Sequence, residues 1–134
     1  MRIVRLAGTI GLWALQVLLG VLFVLLGTLK FGDPTWQRNF ARWGYPDGFY
    51  MVVGVLEALG GLMLFAPRLT SYASAMLGII MIGASLTHFV HGEMRRVAPP
   101  LVYLALLAIV GIARRHAAIR SASIRPPATA LGPM

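Results

Sequence analysis

Apolar residues are concentrated in four blocks, about 6–29, 49–66, 69–90 and 98–113, and this pattern constrains the fold more than any other feature. A block of about 20 apolar residues matches the hydrocarbon core of a bilayer. The mean hydropathy of +0.78 is too high for a soluble globule. The sequence therefore predicts an all-α polytopic membrane protein, a four-transmembrane-helix bundle that occupies residues 1–115 as one domain.

Prolines and glycines predict how these spans are connected and where they end. Pro67 leaves only a very short turn between the second and third spans, so these two should form an antiparallel hairpin. The fourth span is predicted to begin after the Pro99-Pro100 pair, which suits a first helical turn. Residues 116–134, rich in Ala, Ser, Arg and Pro, are predicted to be a basic, flexible tail.

Charge is distributed around the spans rather than along one face. The chain carries 12 Lys and Arg against 4 Asp and Glu, a net charge of +8, but the basic residues flank the apolar blocks. Such residues orient membrane helices and contact anionic lipid head groups, so the predicted partner is the lipid bilayer and not nucleic acid. The chain has no cysteine, which excludes disulfides, thiol redox relays and thiolate metal sites.

The side of the membrane that holds the termini follows from the same charges. Four spans place both termini on one side. That side carries the seven residues Arg2, Arg5, Arg68, Arg114, Arg115, Arg120 and Arg125, and the other carries the five residues Lys30, Arg38, Arg42, Arg95 and Arg96. The expected location is the inner (plasma) membrane, as a multi-pass protein, and the positive-inside rule then predicts both termini in the cytoplasm.

Glu57 lies near the middle of the second apolar block with no basic residue beside it. A charged group at the centre of a membrane helix costs about 2.5 kcal/mol or more, so it normally faces the bundle interior and has a partner. Gly54, Ala58 and Gly61 accompany it on a small-residue face that allows close helix packing. Glu57 is therefore predicted to point at other helices, in a functional role or as a structural tie; Gln16 in span one should make an interhelical hydrogen bond.

The connection between the first and second spans has the pattern of a short amphipathic helix. Asp33-Pro34 reads as an N-cap followed by proline at the first helical position. Trp36, Phe40 and Trp43 recur at i, i+4 and i+7 and share one face. The prediction is an interfacial helix with its aromatic rings toward the acyl chains. The alternative is a helix that folds back as a lid packed on the bundle.

Topology places several polar residues in one half of the membrane. Span one ends, span two begins and span three ends on the same side, so Lys30, Glu57, Ser85, Thr87 and His88 are predicted to line a polar pocket. Glu57 should lie about 12 Å and His88 about 3 Å below the membrane edge. Their direct contact would need tilt, a water or a shifted boundary, whereas the long Lys30 stem can bend inward to the carboxylate.

Histidine spacing argues against a haem in this pocket. His88 and His91 are i, i+3 on one helix and cannot bind a haem from opposite faces, and His116 belongs to the other side of the membrane. A divalent ion on His88, His91 and Glu93 lacks an identifiable third or fourth ligand, so no metal site is predicted. Histidine at a membrane edge also needs no functional explanation.

Several short motifs in combination resemble the DoxX-like family of small four-helix bacterial membrane proteins. They are Gly27-Thr28-Leu29-Lys30-Phe31, Phe40 followed by Gly44-Tyr45-Pro46, Gly54-Val55-Leu56-Glu57-Ala58-Leu59-Gly60-Gly61, Pro67-Arg68 and Gly83-Ala84-Ser85-Leu86-Thr87-His88. The resemblance covers about residues 6–114. It implies a four-helix membrane bundle with Lys30, Glu57 and His88 in the recurrent polar positions, and links to quinone-coupled thiosulfate oxidation, oxidative-stress complexes or membrane chaperoning.

The leading functional hypothesis is a redox-associated membrane subunit that binds a quinone or a similar amphipathic ligand. Reduction of a quinone by two electrons takes up two protons, which suits Glu57 and His88 as proton-handling groups with Lys30 as a tuning charge. Ser85, Thr87, Trp36 and Trp43 would contact the ligand. The chain contains no visible electron donor, so a soluble or membrane redox partner is required.

Two hypotheses from other classes remain open at this point. One is a non-enzymatic assembly or scaffold protein that binds another protein through the bundle and its aromatic first loop. The other is a small proton-coupled transporter, for which four spans leave little room unless the protein forms a homo-oligomer.

Overall fold

The computed structural model describes residues 2–125, and within them the chain forms helices and no strands. The helices are α1 (Arg2–Gly32), α2 (Pro34–Arg42), α3 (Phe49–Met63), α4 (Thr70–Val90) and α5 (Met94–Ile124). The prediction of an all-α fold is confirmed. By length and composition, α1, α4 and α5 can each cross a membrane, whereas α3 is a shorter apolar helix of 15 residues.

The second predicted span is shorter than its apolar block. The helix ends at Met63, and residues 64–69 form successive turns closed by short-range bonds such as Leu64 N to Gly60 O and Leu69 N to Ala66 O. Proline disfavours helical geometry in the residue before it, so Pro67 ends regular helix ahead of its own position. The connection to α4 is therefore longer than the very short turn that the sequence predicted.

The long helices pack in two pairs, α1 with α3 and α4 with α5. Between α1 and α3 the backbones approach closely at glycines: a Cβ added to Gly54 would lie 2.8 Å from the Gly27 carbonyl oxygen, and one added to Gly61 would lie 2.8 Å from the Gly20 carbonyl oxygen. Small residues of this kind allow membrane helices to pack tightly. The core lies where the two pairs meet and contains Leu19, Phe23, Leu64, Ala73, Leu77, Met81, Leu107 and Val110.

Helix α5 begins earlier and ends later than predicted. It starts at Met94 and includes Pro99 and Pro100, instead of beginning after them. The two prolines remove only the bonds to the carbonyls of Arg95 and Arg96, both of which are exposed where water can replace those bonds.

The predicted flexible tail is helical in its first part. Residues 116–124 continue α5, consistent with the good helix propensity of alanine and arginine. Ser121 Oγ also donates to the Ala117 carbonyl oxygen at 3.0 Å. The rest of that predicted tail, residues 126–134, lies outside the described part of the chain.

Gln16 connects α1 to the turn after α3, to α4 and to α5 at the end of the bundle opposite to the candidate site. Its fully buried amide donates to the Leu64 carbonyl oxygen (2.5 Å) and to Thr70 Oγ1 (3.1 Å). Its carbonyl oxygen accepts from Arg114 Nε at 2.8 Å, and the guanidinium lies over the Trp13 ring, 4.5 Å from its centroid. The predicted interhelical hydrogen bond of Gln16 is confirmed.

Replacing Gln16 with leucine should lower the free energy of unfolding by about 1–3 kcal/mol, because it leaves buried donors and acceptors without partners. The measurement is reversible unfolding in mixed micelles. Thr28→Ala is the matched control on the same helix, since the exposed Thr28 hydroxyl bonds only to carbonyls of its own helix. Equal effects of the two substitutions would contradict the role assigned to Gln16.

Candidate functional site

A cavity of about 670 Å³ lies at the end of the bundle where α1 and α4 finish and α3 and α5 begin. All five helices contribute to its wall, which is mainly apolar and aromatic. Its apolar residues include Leu26, Phe40, Phe49, Val53, Leu56, Met81 and Tyr103. A concave apolar site of this volume with a few polar groups is typical of small-molecule binding sites.

Lys30 and Glu57 form an ion pair in the wall of this cavity. Lys30 Nζ lies 2.5 Å from Glu57 Oε2, and each side chain is only 5% exposed. Lys30 Nζ also donates to the Leu26 carbonyl oxygen at 3.3 Å and sits 4.3 Å from the centroid of the Trp36 ring, within cation–π range. The proximity predicted for Lys30 and Glu57 is confirmed, and their function remains a prediction.

Helix α2 turns its aromatic face toward the bundle. Asp33 Oδ1 accepts from Thr35 N at 2.8 Å, so the predicted N-cap is present; hydrogen bonds from Thr35 also hold the pKa of Asp33 below its ordinary value. Phe40 is buried, with the Trp43 ring centroid 5.4 Å away. The helix is therefore a lid on the cavity, and the predicted orientation with rings toward the acyl chains is not what the structure shows.

The reason for this orientation lies in the contacts that the rings find on the bundle. Phe40 packs against Tyr45 and Phe49 at centroid distances of 5.3 and 6.1 Å, and Trp36 covers the Lys30 ammonium. Aromatic pairs contribute about 0.5–1.5 kcal/mol each beyond the burial of their area. The aromatic stripe was visible in the sequence, but the surface that it packs against was not.

His88 lies at the cavity wall in a hydrogen-bonded network with Glu93 and Arg42. Its Nδ1 is 2.6 Å from Glu93 Oε2, and its ring meets Trp43 edge-on at 5.1 Å between centroids. Glu93 Oε1 also accepts from Arg42 Nη2 of α2. No hydrogen bond joins His88 to Glu57 within residues 2–125. The sequence grouped Glu93 with His88 only as a possible metal ligand. Arg42 lies 51 residues from Glu93 in the chain, so no local pattern indicated their pairing.

Thr87 and Ser85 differ in their relation to the cavity. Thr87 lines it and shares a 2.6 Å hydrogen bond with the Tyr45 hydroxyl. Ser85 is buried but does not line the cavity. The face of α4 toward the cavity includes Ile80, Ala84 and Thr87, and one residue along a helix turns the side chain by about 100°, which takes Ser85 away from that face.

Trp43 contributes an unsatisfied donor. Its indole Nε1 is buried and has no hydrogen-bond partner among residues 2–125, although the side chain lines the cavity. Buried polar groups are nearly always paired, so an unpaired indole N–H at a cavity calls for an explanation. An acceptor oxygen on a bound molecule would explain it by accepting from the Trp43 indole N–H.

A metal site is not supported by the described residues. In that part of the chain no three His, Asp or Glu side chains come together to hold an ion. His91, the third member of the set considered from sequence, bonds through Nδ1 to the Thr87 carbonyl oxygen at 2.8 Å.

Comparisons with known proteins were made at the levels of sequence family, curated relatives and solved structures. Neither the curated proteins nor the solved structures gave a significant match. The family model described as "DoxX-like family" matches residues 14–110, which include Lys30, Glu57, His88 and most of the cavity wall. Together with the three long apolar helices, this match indicates a membrane protein. It covers well over half of the sequence, and the chain therefore belongs to the DoxX-like family.

Proposed function

We propose that the protein is an integral membrane subunit that binds a quinone, or an amphipathic ligand of similar shape, in the cavity beneath α2. The observation that carries this proposal is the composition of the cavity: an apolar, aromatic wall of about 670 Å³ interrupted by the Lys30–Glu57 pair. The apolar wall suits a ring and its hydrocarbon tail. The few polar groups would fix the orientation of the ring.

The polar groups of the cavity suit the oxygens of such a ring. The unpaired Trp43 N–H would donate to one carbonyl oxygen. His88 holds its Nδ1 on Glu93 and makes no hydrogen bond through Nε2 within residues 2–125, so Nε2 remains available to exchange a proton. Glu57 and Lys30 form a second proton-handling pair. A quinone takes up two protons with two electrons, and the electrons would come from a redox partner.

The same proposal requires α3 to cross the membrane as a fourth span. At 1.5 Å per residue its 15 residues reach about 22 Å, and it packs along α1 through close glycine contacts. Local bilayer thinning accommodates a short apolar helix at modest cost. With four spans in the plasma membrane, which is the location we propose, the charge distribution favours both termini in the cytoplasm.

Purified wild-type protein should retain a quinone that mass spectrometry detects in its lipid extract. Trp43→Phe removes one hydrogen bond and should weaken retention by about 2- to 10-fold, and Glu57→Gln and His88→Ala should also reduce it. Trp13→Phe is the control, because Trp13 stacks on Arg114 at the other end of the bundle.

The same extracts can contradict the proposal. If wild type and all variants carry only the same bulk lipids, the cavity is not a quinone site. The Lys30–Glu57 pair would then be a structural tie between α1 and α3, and capture of partner proteins would test the scaffold hypothesis.

A further inference from the structure

Glu93 occupies a position between the lid and the wall of the cavity. It follows Gly92, whose φ of +72° reverses the chain after α4, and its backbone N–H donates to the His88 carbonyl oxygen at 2.8 Å. Glycine adopts this left-handed conformation without the steric cost that a side chain brings, so Gly92 permits the sharp turn after α4. It places the Glu93 carboxylate at the end of α4, next to α2.

The two oxygens of this carboxylate contact different helices. Oε2 lies 2.6 Å from His88 Nδ1 of α4, and Oε1 accepts from Arg42 of α2. The Glu93 side chain is only 19% exposed. Besides Arg42, α2 and the residues that follow it contact this end of α4 through the Trp43 ring on His88 and the Tyr45 hydroxyl on Thr87.

We propose that Glu93 is a positioning residue that couples closure of α2 over the cavity to the orientation of His88. It orients His88 through Nδ1 and holds α2 through Arg42, so the same carboxylate serves the proton-handling group and the lid. This inference rests on the proposed function, because it concerns access to the same cavity.

The charges around Glu93 give the direction of the effect. The groups that face it are Arg42 from α2, His88 from α4 and Arg96 from α5, the last at 3.8 Å. Arg95 lines the same cavity, and Lys30 of α1 is neutralised by Glu57. The network therefore contains one carboxylate among several cations, and any further positive charge weakens its hold on Arg42.

Acidification should consequently open the lid. The hydrogen bond from His88, with smaller contributions from Arg42 and Arg96, holds the pKa of Glu93 below its ordinary value. The carboxylate thus keeps its charge until well into the acidic range. The Glu93–Arg42 ion pair is present above that pKa and is lost as the pH falls through it.

A single introduced thiol can report opening, since the chain has no cysteine. Ala84→Cys places the thiol in the cavity wall, and Ser123→Cys places a reference thiol at the exposed end of α5. The measurement is the rate of reaction with a water-soluble maleimide in nanodiscs, without added ligand. The ratio of the cavity rate to the reference rate removes the intrinsic pH dependence of thiol chemistry.

As the pH falls from 8 to below the lowered pKa of Glu93, the ratio should rise about two- to five-fold, the effect expected for loss of a partly exposed ion pair. In the Glu93→Gln background the ratio should be high throughout this range. In His88→Gln the rise should begin at a higher pH, because the hydrogen bond that lowers the pKa of Glu93 is lost. Arg42→Gln tests the lid side and should raise the ratio at pH 8. Arg38→Gln, on the same helix but outside the network, should behave as the unsubstituted chain.

A ratio that does not change with pH would overturn the proposal, as would Arg42→Gln and Glu93→Gln backgrounds that match Arg38→Gln. This result is separable from failure of the proposed function. If the protein retains a quinone but the thiol reaction ratio does not respond to pH, only the proposed movement of α2 is rejected. If the ratio responds but no quinone is retained, the movement of α2 stands and the cavity binds a different ligand.

Discussion

Lys30→Met should lower the free energy of unfolding by about 3–5 kcal/mol, because it leaves the Glu57 carboxylate buried without its cation. Glu57→Gln should have an effect of the same sign, since it leaves the Lys30 ammonium unpaired. The double variant should recover most of the loss, because a buried pair contributes little once both charges are gone. Unfolding in mixed micelles measures all four proteins of the cycle.

Arg38→Met is the control for this cycle, since it removes an exposed cation from α2 and should change stability by well under 1 kcal/mol. Similar losses for Lys30→Met and Arg38→Met would mean that the pair is not buried in the folded protein. The double variant also separates the two roles considered for Glu57. If it folds stably but no longer retains a quinone, the pair acts on the ligand as well as tying α1 to α3.

Gly27→Ala should destabilise the protein by about 1–3 kcal/mol, because the added Cβ would lie 2.6 Å from Ala58 N. That atom belongs to the backbone of α3, so the contact is relieved only by moving the whole helix. The measurement is again unfolding in mixed micelles. A second measurement is the rate at which the heated protein loses its retained quinone.

Gly11→Ala is the matched substitution on the same helix, with nothing within 4 Å of the added Cβ. Alanine is the better helix former by up to about 1 kcal/mol, so this change should be neutral or stabilising. The two substitutions are chemically identical and are expected to differ in sign. Destabilisation of the same size at both positions would show that helix propensity, and not the close approach of α1 and α3, sets the effect.

Local signals in the sequence were sufficient for the helices and for the central ion pair. Apolar blocks of membrane length predicted helices α1, α4 and α5, and Asp33-Pro34 predicted the start of α2. A lone carboxylate in an apolar segment requires a partner, and the topology left Lys30 as the cation within reach. These conclusions depend on the free-energy cost of exposing polar groups to lipid. That cost is set by the residues of each segment alone.

The candidate site was only partly predictable for a different reason. The Arg42–Glu93–His88 network joins residues from three segments, and its geometry depends on the turn at Gly92. Ser85 shares its helix with His88, yet the rotation of α4 removes it from the cavity. Helix rotation is set by packing against neighbours, which periodicity in a single segment does not specify.

By itself, then, the sequence determined that this chain forms apolar helices and that Glu57 needs a buried partner, because hydrophobic length and the cost of a buried charge are local properties. Only the tertiary structure decided that α2 covers the cavity, that Glu93 bridges α2 and α4, and that α3 ends at Met63. Those features depend on which surfaces meet, and the free energy of each alternative contact depends on the position of every neighbouring helix.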